Sequence, residues 1–299
     1  MAAPLPDTAL LAAGPPPLPS LVNSRQLRAQ HLGRTLRLWI PAGFLLLVLA
    51  MCFLWPLVYT LPSPTNGNII QASEPPFSPG HWLGTDQVGV DIFSQIVYGG
   101  RVAFEVSIAV TVIGMAIGSL LGIVAGYFGG WLDSVLSRVL DVLIAFPALV
   151  LALVIAEGLG PSEFHVILAL AVFSIPAFGR ITRGATLAVR EQPFMVAARL
   201  AGSSRWRVLT RHVLPNIMPG VLSFSLLGIG IVIILEGALD FLGYGIPAPN
   251  PSWGSMIAQG QQVLTAQPEY VLIPSLFLLV TVVALNMLGD ALRERWGVQ

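Results

Sequence analysis

The sequence predicts an all-α, polytopic membrane protein with six transmembrane helices. Three observations predict it. Only 10% of the 299 residues are charged and 55% are hydrophobic, with a mean hydropathy of +0.79, whereas soluble domains carry roughly 25% charged residues. Six apolar segments reach the length, about 20 residues, that crosses a bilayer. When the chain is threaded through those six segments, nearly all its arginines fall on one side.

The elements follow in chain order. Residues 1–35 form a tail with "GPPPLP" near its centre. It has no basic stretch ahead of an apolar one, so it is not read as a signal peptide; its composition predicts disorder. A first region, 36–101, holds the first span and a long loop; a second, 102–299, holds the other five. The spans run approximately over 38–61, 102–127, 134–156, 164–182, 217–243 and 270–289. The third, fourth and fifth contain Pro or Gly, which membrane helices tolerate. Of the loops away from the arginines, 62–100 is long, 157–163 is a tight turn, and 244–269 is Pro-rich. Within the last, "SWGSMIAQGQQVL" reads as a short helix lying against the bundle.

Orientation follows from charge. Arg25, Arg28, Arg34 and Arg37 precede the first span, seven arginines surround the fourth-to-fifth connection, and Arg293 and Arg295 follow the sixth. The positive-inside rule places both termini and that connection on the cytoplasmic side.

Composition also excludes chemistry. All 15 basic residues are Arg. Without Lys the chain cannot build a nucleotide-binding P-loop or a Schiff base. Cys52 is the single cysteine and reads as a buried hydrophobe. The four histidines make no metal-binding pattern, and net charge is zero, which argues against a nucleic-acid partner. Ser134, Ser137, Ser174, Ser223 and Ser225 lie in or near spans, but no G-x-S-x-G occurs, so no catalytic residue and no metal ligand is assigned. Gly114, Gly118, Gly122 and Gly126 recur every four residues and predict a ridge for close helix packing.

The basic connection, 184–215, holds most of the functional signal. "FMVAARLA" reads as a helix stopped by Gly202. Ser203 or Ser204 caps a second, "RWRVLTRHV", which Leu214-Pro215 is expected to end. Taken by itself the loop is a basic interfacial helix suited to lipid headgroups or partner carboxylates. Its spacing, however, resembles the loop of permease subunits of ATP-driven (ABC) importers: E-A-A, three residues, G, nine residues, I-x-L-P. Ala197, Ala198, Gly202, Leu214 and Pro215 match in register. Val196 stands in place of the Glu and His212 in place of the Ile. "RHVLPN" is similar to the dipeptide and oligopeptide branch. So are "HWLGTDQVGVDIFSQIVYGGRVAF", with Val90 where Arg is usual, "GIVAGYFGGWLDSVLSRVLDVLIAFPALVLAL", "EGALDFLGYGIPAPNPSWGSM" and "NMLGDALRERW".

The resemblance, over roughly residues 36–297, implies a type I ABC importer permease fold. It implies a second homologous permease subunit, two cytoplasmic ATPases that bind ATP and Mg, and an extracytoplasmic substrate-binding protein. No cofactor belongs to this chain. The loop would be the coupling helix, with Met195, Val196, Ala197, Ala198, Arg199, Ala201, Gly202, His212, Leu214 and Pro215 as its contact residues. Cargo would be a short peptide, with nickel, glutathione, a glycopeptide or haem as alternatives in the same architecture. An ion-coupled secondary transporter remains a further alternative, though no internal repeat is evident.

Acids inside spans are expensive and mark candidate sites. Asp141 precedes "AFP" and has Arg138 at i−3 as its expected partner. Glu236 and Asp240 lie one turn apart, with Asp240 where Ser is more usual in the family. These three are the candidate substrate-path residues, with a packing role as their alternative.

Overall fold

The computed structural model describes residues 24–297, with side chains from Leu36 onward. Of the tail expected over 1–35, the first 23 residues lie outside that range, and helix α1 already begins at Ser24. No β-strand occurs among the described residues, only two isolated bridges.

Helix α1 (Ser24–Leu49) passes through a π turn (Ala50–Leu54) into the short α2 (Trp55–Val58). A loop then leads to α3 (Ile92–Phe128), followed by α4 (Gly130–Ile144), α5 (Ala148–Leu159) and α6 (Glu163–Arg190). The basic connection contributes α7 (Pro193–Leu200) and α8 (Arg205–Val208). The remainder is α9 (Leu214–Phe241), α10 (Trp253–Gly260) and α11 (Glu269–Arg295). Five stretches are long and apolar enough to cross a membrane: Leu36–Val58, Ile92–Phe128, Glu163–Arg190, Arg205–Phe241 and Glu269–Arg295.

Two expectations are corrected. The third span is not one helix over 134–156. It is the pair α4 and α5, which meet at 83° and make the sixth crossing if taken as one broken span. Pro147 causes the break: it lacks an N–H, and it bars Phe146 from helical geometry. Nor do Leu214 and Pro215 end the helix that starts at Arg205. That helix widens into a π turn at Leu209–Val213 and runs on as α9. Pro215 falls in the first turn of α9, where a missing N–H does no harm.

The bundle is organised around α3 and α6. Gly114, Gly118, Gly122 and Gly126 face α6 so closely that a Cβ at Gly118 would lie 2.3 Å from the Ile175 carbonyl oxygen. At Gly122 it would lie 2.4 Å from the Gly179 oxygen. The α3 backbone here meets the α6 backbone and the short Ser174, Thr182 and Thr186 side chains with no α3 side chain between them, as the four-residue period predicts. Cys52 is wholly buried in a second cluster with Ile92, Ile96, Trp253 and Tyr270, at the end of the bundle opposite the basic connection. It packs there as a hydrophobe. The expected short helix is present as α10, opened by a capping box between Ser252 and Ser255.

Gly118→Val is expected to cost about 1–3 kcal/mol or to abolish folding, because the new carbons meet backbone. Gly184→Ala meets no atom within 4 Å and should be neutral or stabilising. Thermal unfolding of the two detergent-purified variants checks this; equal stability would refute the close-packing account.

Candidate functional site

The site is built where α6 turns back into α9. Proline starts α7 at Pro193, with Gln192 extended ahead of it. The helix ends in a Schellman motif: Ser203 N–H donates to the Ala198 oxygen at 3.1 Å and Gly202 N–H to the Arg199 oxygen at 3.0 Å. Gly202 adopts φ +74°, and a Cβ there would meet nothing within 4 Å. Glycine is required by the left-handed turn rather than by crowding within this chain. Ser204, one of the two expected caps, accepts from Arg207 N–H at 3.4 Å and starts α8.

Helix α7 has two faces. Met195 is fully buried and Ala198 nearly so. Met195 packs with Phe178 of α6, Val208 of α8, Val213, and Ile217 and Val221 of α9. The other face is open: Val196 is 50% exposed and Leu200 84%, with Trp206 75% exposed just beyond the turn. Ala197, Arg199, Ala201 and Gly202 are also exposed, as are Leu214 and Pro215, while His212 is half-buried. The His212 ring lies 6.3 Å from that of Phe194. The sequence treats the motif as a unit; the structure divides it into an inward anchor and an outward apolar surface.

Arginines clasp the same end together. Arg183 of α6 donates to Asp133 of α4 through two bonds, at 2.5 and 2.8 Å. Arg180 donates to Asp141 at 2.7 Å. Arg190 donates to the Gly126 oxygen at the end of α3, and Arg205 lies over the Phe128 ring. Asp141 therefore pairs across helices with Arg180, not along α4 with Arg138, because α6 presents its guanidinium to that face.

The other two candidate path residues sit at the opposite end of α9. Glu236 and Asp240 are 1% and 5% exposed. Asp240 Oδ1 accepts from Ile246 N–H at 2.5 Å, fastening the turn that leaves the helix. Gly245 and Gly254 crowd it, since a Cβ on Gly245 would lie 1.5 Å from Oδ1. Glu236 Oε1 and Asp240 Oδ2 accept no hydrogen bond among the described residues. The structure brings this pair together at one helix-to-loop junction and does not join it to Asp141.

Sequence reasoning missed a third cluster. Asp86 Oδ1 accepts from the N–H groups of Val88 and Val90, and its Oδ2 accepts from Gln95 Nε2 at 2.7 Å. The Tyr270 hydroxyl of α11 lies 3.2 Å from both Gln95 Oε1 and Gln259 Oε1. Asp91 caps α3 through Ser94 N–H and bonds His81 Nδ1 at 2.8 Å. The Asp-x-x-Gly turn of "TDQVG" was the available signal. Among the described residues, no group of three His, Cys, Asp or Glu stands close enough to hold a metal.

Residues 118–297 match the model of the family described as binding-protein-dependent transport system inner membrane component. The chain belongs to that family. A glutathione transport system permease protein, GsiD, of Pectobacterium atrosepticum is 38% identical over 258 residues, 85% of each chain. GsiD of Shigella flexneri is 37% identical over 276 residues, 90% of this chain and 87% of that one. Among solved structures, the inward-facing MetNI methionine ABC transporter has a chain that superposes with a TM-score of 0.57. Identity there is 16%, over 69% of this chain and 97% of the other. An amino acid ABC transporter gives 0.55 at 18% identity, over 68% and 94%. The family member described here is therefore an ABC importer permease with the type I fold, a multi-pass membrane protein of a binding-protein-dependent system.

Asp133→Asn keeps the shape and removes the charge that Arg183 grips. It is expected to lower stability by about 1–2 kcal/mol, a charged hydrogen bond discounted for partial exposure. Thermal unfolding measures it; an unchanged midpoint would show that the clasp contributes nothing.

Proposed function

We propose that α7 is the coupling helix through which partner ATPases drive this permease, and that the cargo is a short peptide. The observation that carries the reading is the two-faced α7. Its inner side is seated by Met195 among α6, α8 and α9, and its outer side offers Val196, Leu200 and Trp206. An exposed apolar surface of this kind suits a buried protein contact. Motion imposed on it would pass to two long helices through a close-packed core, which transmits displacement rather than absorbing it.

In this reading two ATPase subunits bind ATP and Mg below the membrane, and the chain, without the Lys a P-loop needs, hydrolyses no ATP itself. Both termini and α7 face the cytoplasm. A second, homologous permease subunit completes the path, and an extracytoplasmic binding protein delivers cargo to the end of the bundle carrying Asp86 and α10. ATP-driven closure of the ATPases draws the coupling helices together and opens the path outward; hydrolysis resets it. Glutathione, named in the relatives' own descriptions, is itself a tripeptide and is the favoured alternative cargo. Asp141, Glu236 and Asp240 were the candidate path residues. The ion pair of the first and the buried turn contact of Asp240 favour packing roles for both.

The test uses the tagged chain purified from membranes with its accompanying subunits and assayed for ATP hydrolysis stimulated by peptides or glutathione. Leu200→Asp should leave the thermal midpoint unchanged and reduce stimulated hydrolysis by about tenfold or more, the loss of one central contact. Ala198→Arg should instead destabilise the chain, since that side faces inward. Normal stimulation in Leu200→Asp would overturn the coupling role. Co-purification without any ATPase would overturn the transport mechanism.

A further inference from the structure

A cleft of about 350 Å³ lies between α6, α9 and α11. Its trough is small and apolar, with Gly184 and Ala188 on one side and Gly220 and Leu227 on the other. Two guanidinium groups border it, Arg180 and Arg293, and no carboxylate is among the residues that line it. Arg293 lies in the last turn of α11, where a spanning helix meets the headgroups. Arg180 gives Nη2 to Asp141, yet its side chain is 53% exposed. A guanidinium carries five N–H donors in a fixed fork, so that pairing leaves others to offer.

A water-soluble anion would satisfy the arginines and waste the trough; a hydrocarbon would do the reverse. A molecule with an anionic head and an apolar chain satisfies both, and basic pockets between membrane helices recognise such lipids. We propose that this cleft binds an anionic phospholipid, with its phosphate against Arg180 and Arg293 and one acyl chain along Gly184 and Gly220. Occupancy would be felt at the coupling helix. Ala185, Ile217, Val221 and Phe224 line the cleft and also belong to the cluster that seats Met195. Binding of the lipid does not depend on what the permease carries.

The test is native mass spectrometry of the full chain, with its accompanying subunits, released from phosphatidylcholine nanodiscs doped with dioleoylphosphatidylglycerol. The wild type should retain phosphatidylglycerol over phosphatidylcholine by about tenfold or more, at roughly 1 kcal/mol per arginine. Arg180→Gln and Arg293→Gln should each reduce that preference by about fivefold. Gly184→Leu should abolish retention by filling the trough, which is open at that point since a Cβ there meets no atom within 4 Å; thermal unfolding checks that the variant stays folded. Asp141→Asn, which breaks the ion pair and keeps the cation, should retain the lipid. Equal retention of the two lipids, or unchanged retention in Gly184→Leu, would overturn the proposal. So would displacement of the lipid by peptide or glutathione, which would make the cleft a cargo site.

Discussion

Everything at the working end of this permease depends on how closely α3 and α6 approach. Four glycines bring α3 directly against α6 along about three turns. That approach fixes the line of α6 and hence the position of Phe178, the fully buried α6 residue of the cluster under α7. A single side chain on the ridge would push α6 outward and dissolve the seat of Met195. The same constraint sets the arginine clasp, since Arg183 and Arg180 reach α4 only while α6 lies tight against α3.

On this frame α7 works as a short lever. Its inner face is one buried methionine with a small alanine beside it; its outer face is apolar and open. Gly202 lets the chain reverse after only eight helical residues. The continuous helix from Arg205 to Phe241 then carries the displacement from the turn to the far end of the bundle. The π turn at Leu209–Val213 admits Pro215 without breaking that rod. At the far end Asp240 fastens the departing turn, and the Asp86 cluster ties α3, α10 and α11 to the preceding loop.

The long spans, the glycine ridge, the loop helix and the Gly202 turn were all legible in the sequence. Each follows from local rules: run length, a four-residue period, a cap, a positive φ. What stayed hidden depends on partners distant in the chain. Arg138 is near Asp141 in sequence, but Arg180 is near it in space. Asp86 reads as an ordinary turn residue until Gln95 and Tyr270 converge on it. Ala197 and Ala198 look equivalent in the motif, yet helical rotation sends one outward and the other into the core. Pro147 and Pro215 are alike as residues; one breaks a helix and the other enters a first turn, and the widened turn that decides between them has no simple pattern.

The central claim is that α7, α6 and α9 move as one body when the ATPases close. Cys52 is the single native cysteine and is buried, so introduced cysteines can be labelled selectively. Val196 on α7 and Thr210 in the turn before α9 are both exposed. Spin labels at these two positions, with their separation measured by pulsed electron resonance in nucleotide-free and ATP-bound complexes, test the claim directly. The account predicts one narrow distance distribution, unchanged between the two states. A separation that shifts or broadens when ATP binds would mean that α7 slides on its seat, and would contradict it.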